Sequence, residues 1–305
     1  MLMNEQANEE KLKGKEKKLL SPKLDVVFKA IFGEPGDESI TKGFLETVLK
    51  EPIEKIDLSK NPILRREFKD EKLGILDILA EINGKEEVNI ELQIVDRKNI
   101  VERILYYWSK LYSRQIRTGE EYEKLSKTIV ILITNYEIKN IDEDYHTKWQ
   151  IMEVDKKIIL TDKLELHIIM LPRIIGQEKN KDKLLDWLYF IENPKSERVA
   201  NKMGENKELK EAVEKLDRLS EDERMQKIAD LREKAILDEK AIYARGLEIG
   251  EEKGRTEGIE EGKTQGKLEE KQEIAKKMLT KGLLIDEIAD ITGLSQEEIK
   301  KLKKY

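Results

Sequence analysis

Two periods organise the apolar residues of this chain. Helical spacing runs through residues 26–32 and 40–50 (ITKGFLETVLK), the second stretch stopping at Glu51-Pro52 because a residue before proline avoids the α region. A short strand is expected over 63–68. Residues 74–82 and 87–94 look like paired strands, the second alternating apolar and polar positions. Residues 99–117 return to helical spacing, and 128–134 (TIVILIT) form a continuous β-branched run, as expected of a strand covered on both faces. Further strands are predicted over 149–154 and 164–171, and a helix over 181–191. This order of elements predicts an α/β fold with one mixed central sheet flanked by helices.

The pattern changes near residue 195, where Pro194 and Gly204 punctuate the chain and Glu, Lys, Leu and Gly take over. Four parts are expected: a disordered arm over 1–20, an α/β domain over 21–195, a charged helical or linker region over 196–268, and a small helical bundle over 269–305. Gly246, Gly250, Gly254, Gly258, Gly262 and Gly266 recur at every fourth position. A step of four overshoots the helical period by about 40°, so these glycines wind around a helix instead of forming one seam. Each also costs about 0.8–1 kcal/mol of helix propensity relative to Ala. The propensity cost favours a flexible linker over a self-association helix.

Composition narrows the chemistry. The 305 residues hold 58 Lys+Arg and 64 Asp+Glu, a net charge of −6, and 40% are charged, which suits a compact domain followed by long solvated helices. There is no Cys, which excludes disulfides, thiol nucleophiles and thiolate metal sites and allows a cytoplasmic address. The only histidines, His146 and His167, lack the spacing of a metal site, so any catalysis is expected to rest on carboxylates. The N-terminus has no apolar segment of the secretory kind, and no apolar run approaches the ~18 residues that span a bilayer, so no membrane partner is expected.

The most informative stretch is ILDILAEINGKEEVNIELQI, residues 75–94. A two-residue Asn83-Gly84 turn would pair Ile82 with Lys85 and turn Asp77 and Glu91 to opposite faces. A three-residue loop, Ile82-Asn83-Gly84, pairs Glu81 with Lys85 and sets Asp77 opposite Asn89 and Glu91 opposite Ile75. Both acids then share one face and the apolar residues share the other, so burial itself demands the three-residue loop. Two carboxylates on adjacent strands suit a hard divalent cation such as Mg²⁺; a solvated acidic face is the plainer alternative.

The segments DVVFKAIFG (25–33), Leu76-Asp77-Ile78, Ile90-Glu91-Leu92-Gln93, Arg103 to Tyr107, Tyr112 and Gly119 to Tyr122 together resemble the recombination-promoting, Rpn-like family of the PD-(D/E)XK nuclease superfamily, over about residues 21–195. The resemblance implies a restriction-endonuclease-like domain followed by an extended helical tail. It further implies a Mg²⁺-dependent DNA endonuclease, with Mn²⁺ able to substitute, tied to recombination or mobile-element processing. It makes Asp77 and Glu91 metal ligands, with the Leu92 carbonyl as a third. Gln93 stands where the superfamily usually has Lys, and an amide offers a dipole but no charge, so the base is unassigned. Asp25 is either a further catalytic acid or the cap of the helix after it. The alternative function is a catalytically inactive DNA-binding or assembly module.

Two helical segments bear on partners. Over 99–117, Val101, Ile104, Leu105, Trp108, Leu111 and Tyr112 are expected to face the core. Arg103, Tyr107, Lys110, Arg114 and Arg117 form the opposite stripe, suited to the DNA backbone or simply solvated. Trp108 and Trp149 are expected in the core. The segment 269–305 reads as a helix-turn-helix with a stop at Gly282 and a capping box at Ser295 and Glu298. Its balanced charge and acidic opening favour an oligomerising or docking bundle over DNA reading. DNA and a second copy held through this helical region are thus the expected partners.

Overall fold

The computed structural model describes residues 18–59, 63–64, 74–75, 77–96, 98–141 and 143–302. The arm expected to be disordered lies outside the described residues up to residue 17. Its last three residues are held: Leu20 is buried and donates its N–H to Ser220 Oγ at 3.0 Å, while Lys18 pairs with Asp230 (2.9 Å) and Glu233 (3.3 Å). The chain divides into two compact units, Met1–Ile236 and Leu237–Tyr305.

The first unit begins with α1 (Asp25–Phe32) and α2 (Glu38–Leu49). Then come β1 (Ile56–Leu58), β2 (Ile63–Leu64), β3 (Gly74–Ile75), β4 (Ile78–Ile82) and β5 (Glu86–Gln93). After α3 (Ile100–Ser113) follow β6 (Thr128–Thr134), β7 (His146–Trp149) and β8 (Leu164–Met170). Helices α4 (Leu184–Glu192), α5 (Glu197–Lys202) and α6 (Lys207–Glu221) complete it, with the start of α7 (Glu223–Thr280). The sheet order is β1-β4-β5-β6-β8-β7, with β2 and β3 as a separate ladder. Strands β5, β6 and β8 are parallel; the outer pairings are antiparallel.

Strand alternation sorts two apolar layers. Ile90, Ile131 and Ile169 point into a core shared with Phe28, Phe32, Phe44, Trp187 and Phe190. Val130, Leu132, Leu166 and Ile168 lie on the other side, against Ile100 and Ile104 of α3. The run 128–134 is buried at every position, as its composition predicts. Val199, Leu209, Ala212, Leu216, Ala229 and Ile236 join the larger core, so the change of composition near 195 marks a more charged surface and not the edge of the packed unit. On β8, buried Glu165 and His167 interrupt the apolar layer. The two histidines meet, His146 Nε2 to His167 Nδ1 at 2.8 Å, and His167 Nε2 contacts Glu165 at 2.7 Å. Lys127 and Lys148 neutralise that carboxylate at 3.0 and 2.9 Å.

The hairpin differs from expectation in one respect. Its loop has three residues, but they are Asn83, Gly84 and Lys85, and Ile82 pairs with Glu86. Ile82 cannot serve in the loop because β1 holds it in the sheet opposite Ile56. Asn83 and Gly84 both take left-handed φ, 53° and 71°, and Asn83 Oδ1 accepts the N–H of Glu54 at 2.9 Å. The register has therefore slipped by two residues, which preserves every face. Leu79, not Asp77, stands opposite Asn89, and Ile75 pairs with Ile63 instead of Glu91. The strand expected over 149–154 is also displaced: β7 ends at Trp149, which is exposed at the sheet edge and not in the core.

The second unit takes the rest of α7 together with α8 (Ile285–Thr292) and α9 (Gln296–Leu302), gathered around Ala275, Ile288, Leu294 and Ile299. Gly293 closes α8 at φ 67°, and Ser295 and Glu298 form the expected capping box, with the Ser295 N–H on Glu298 Oε2 at 2.8 Å and the Glu298 N–H on Ser295 Oγ at 3.3 Å. Leu284 offers no acceptor at the start of α8; Glu287 compensates by accepting its N–H at 3.1 Å. The region expected as a linker is helical through all six glycines, and nothing stands within 4 Å of a Cβ added at any of them. Replacing them with Ala is therefore expected to stabilise this helix by about 0.8–1 kcal/mol each, read as higher helicity at 222 nm on heating. Among the described residues, no helix is long and apolar enough to cross a membrane.

Candidate active site

The open end of the β4–β5 hairpin carries the acids. Continuing the observed register one step past Ile78 and Ile90 brings Asp77 level with Glu91. The hydrogen bonds fit that placement: the Asp77 N–H donates to Glu91 Oε1 at 3.3 Å, and the Leu92 N–H donates to Asp77 Oδ2 at 3.0 Å. A strand residue presents its N–H and C=O on the same edge, so the Leu92 carbonyl also leaves β5 on the Asp77 side. The expectation of both acids on one face is met, by a closer pairing than the one derived from the sequence.

Glu91 is only 1% exposed, beside a small apolar cluster of Leu79, Tyr107 and Leu111. Asn89 Nδ2 donates to its Oε1 at 3.2 Å, while Asn89 Oδ1 is buried without a partner. Burial, and then the neighbouring Asp77 charge, pushes the Glu91 carboxyl up to about 8. The acids are thus no solvated decoration. They are a crowded pair whose joint ionisation is opposed by burial and mutual repulsion and is favoured by added positive charge.

Two cations that sequence reasoning assigned elsewhere or missed approach the pair. Lys29 of α1 reaches Asp77 Oδ1 at 3.0 Å. Its only sequence signal was its place in the DVVFKAIFG segment. Arg103 of α3 donates to Gln93 Oε1 at 3.2 Å and to Tyr107 Oη at 3.0 Å, and lies 3.7 Å from Glu91 Oε2. Gln93 Nε2 in turn stands 3.4 Å from Glu91 Oε2. Asp25 is the first residue of α1, not its cap, and its carboxylate pairs with Arg232 at 2.7 Å.

The stripe on α3 requires correction. The helix buries Ile100, Ile104, Tyr107 and Leu111 and leaves Val101 and Leu105 exposed, so it is rotated from the expected setting. Arg103 and Tyr107 face the carboxylates, and Arg114 is bound to Glu87 at 2.9 Å. Lys110 also has a partner, and the Arg117 N–H is taken by Glu120 at 2.6 Å. Trp108 is half-buried and bonded to the Thr128 carbonyl at 3.1 Å. Arg103 and Tyr107 thus leave the expected stripe for the carboxylates, while Arg114 and Arg117 stay exposed.

The donor set suits an oxygen-seeking divalent ion. It offers two facing carboxylates, one buried at an unfavourable charge, with a backbone carbonyl on the same edge. Among the described residues, no third acidic or imidazole side chain completes a metal cluster; Mg²⁺ is an ion that keeps several waters beside one or two carboxylates.

Two family models match the chain. The family model described as PD-(D/E)XK nuclease family transposase matches residues 22–246. A second, the C-terminal HTH domain of the Rpn/YhgA-like nuclease family, matches residues 268–304. No curated protein and no solved structure matches the chain.

Proposed function

The chain belongs to the PD-(D/E)XK nuclease family transposases, and on that premise we propose that it is a metal-dependent DNA endonuclease hydrolysing phosphodiester bonds. Asp77, Glu91 and the Leu92 carbonyl would hold Mg²⁺, or Mn²⁺ in its place. The bound ion supplies an acidified water and neutralises charge developing on the phosphodiester. The observation that carries this reading is the contact between Asp77 and Glu91 at the end of β5, with Glu91 buried.

The remaining residues position and balance that pair. Arg103 holds Gln93 and approaches Glu91, offsetting part of the effect of burial on that carboxyl. Lys29 brings to Asp77 the positive charge that Gln93 cannot provide, and an ammonium beside the reacting phosphate stabilises negative charge there. The helix-turn-helix unit supports DNA as the partner, although its acidic first turns favour backbone approach from another surface. Self-association of the helical C-terminal region and a cytoplasmic setting belong to the same proposal. Strand transfer is not part of the proposal, because it further requires recognition and pairing of element ends.

One observation favours a second reading. Lys29 and Arg103 already balance the acids, so the pair is a self-satisfied ion cluster in an inactive DNA-binding or assembly module. Nicking of supercoiled plasmid separates the two. Cleavage is expected with Mg²⁺ or Mn²⁺, and is expected to disappear in Asp77→Ala and Glu91→Ala. Cleavage that survives either substitution overturns the site; absence of cleavage with any divalent ion selects the second reading.

A further inference from the structure

Beyond Trp149 the chain leaves the sheet as an arm whose surface does not suit a solvated loop. All ten residues from 151 to 160 are exposed, and Ile151, Met152, Val154, Ile158, Ile159 and Leu160 are large and apolar. Val154 is 73% and Leu160 76% exposed. The arm folds back on itself through Leu160 N–H to the Ile151 carbonyl at 3.0 Å and Glu153 N–H to the Ile158 carbonyl at 2.8 Å. Met152 bridges Ile159. Residues opposite one another across such a ribbon share a side. Ile151 and Leu160 therefore lie on one face, and Met152 and Ile159 on the other, so both faces are apolar.

The size of this surface is informative. The fractional exposures, with Trp149 at 43%, correspond to roughly 600–700 Å² of apolar side chain. Shared between the two faces of the ribbon, it gives each face an apolar area on the order of the ~300–600 Å² largest patch of a typical monomer. A partner that covers both faces would bury an area near the ~800 Å² that each side contributes to a stable interface.

The setting of the arm selects its occupant. It springs from β7, the last strand of the sheet order, whose outer edge has no strand partner among the described residues. An edge strand that pairs antiparallel with its own copy generates a closed twofold contact in which the same patch serves both subunits. Charge agrees: Glu153 and Asp155 balance Lys156 and Lys157, so two arms running in opposite directions can set acids against lysines. A net charge of −6 on each copy opposes association in general, which a balanced contact avoids. The balanced, apolar arm offers a phosphate backbone nothing.

We propose that a second copy of this chain docks here, arm against arm and β7 beside β7, to form a homodimer. This contact is separate from any self-association of the helical C-terminal region and does not depend on nuclease activity.

The 305-residue chain is expected to sediment at twice its 35.7 kDa mass. The double variant Ile158→Asp, Leu160→Asp changes only exposed positions. It is expected to keep the parent's circular dichroism and melting curve while dimerising about a hundredfold more weakly. Because the chain has no Cys, Val154→Cys introduces a single thiol, and a short bis-maleimide is expected to link two chains through it. A monomeric parent overturns the proposal. So does a dimer that persists unchanged in the double variant, or one that the thiol introduced at Val154 cannot cross-link.

Discussion

Glu91→Gln is expected to abolish the proposed cleavage and, in the metal-free protein, to raise the melting temperature at alkaline pH. Both effects come from the same carboxylate. Burial and the Asp77 charge move the Glu91 pKa from 4.5 up to about 8 in the folded chain. A carboxyl whose folded pKa is raised contributes stability below its unfolded value, and loses that contribution as pH rises through the folded value. The ionised form in use at pH 8 therefore costs folding free energy, on the order of 2 kcal/mol once relaxation and partial screening are allowed for. Gln keeps the shape and removes the charge. Melting in a chelator should show parent and variant coinciding near pH 4.5 and separating by several degrees above pH 8. A difference independent of pH would show that Glu91 is not the strained group. Divalent metal should stabilise the parent at high pH and leave the variant unmoved, because the ion binds the folded carboxylate. The accompanying fall in cleavage is expected to reach about a thousandfold, the scale of losing one charged group that organises a transition state.

Trp187→Ala should be among the most damaging single changes in the first unit. Trp187 is fully buried, with its ring 5.9 Å from Phe32 and 6.0 Å from Phe44, at the junction of α1, α2 and α4. Helix α2 comes close enough that a Cβ added to Gly43 would stand 3.2 Å from the indole. A cavity there cannot collapse without moving three helices, so the loss is expected at about 3–5 kcal/mol in denaturant unfolding. Trp187→Phe should cost no more than about 1.5 kcal/mol, because the buried Nε1 has no hydrogen-bond partner to lose. A cost below about 1 kcal/mol for the alanine variant would mean that this aromatic cluster does not hold the helices to the sheet.

The folded chain separates what alternation can carry from what it cannot. The run 128–134 is legible because only a central strand with both faces covered tolerates seven consecutive buried residues. The capping box at Ser295 is legible because it is a local exchange of hydrogen bonds. The setting of α3 is not. Its apolar residues cover more than half of the helix circumference, so several rotations bury similar area, and the buried carboxylate selects the one that turns Arg103 and Tyr107 inward. The first half of the exposed arm, 149–154, reads as a strand because it is rich in large apolar residues, and sequence does not reveal which apolar segments the fold leaves uncovered.

By itself, the sequence determined the parity of the hairpin. With a side-chain period of two, only an even register buries both apolar sets, and that alone places Asp77 and Glu91 on one face. It could not choose between registers two residues apart, which bury the same side chains. The tertiary structure made that choice when β1 claimed Ile82 for the sheet and so brought the two acids level. The cations followed for the same reason: Lys29 and Arg103 arrive from separate helices, and only the packing of α1 and α3 against the sheet determines which charges share the site.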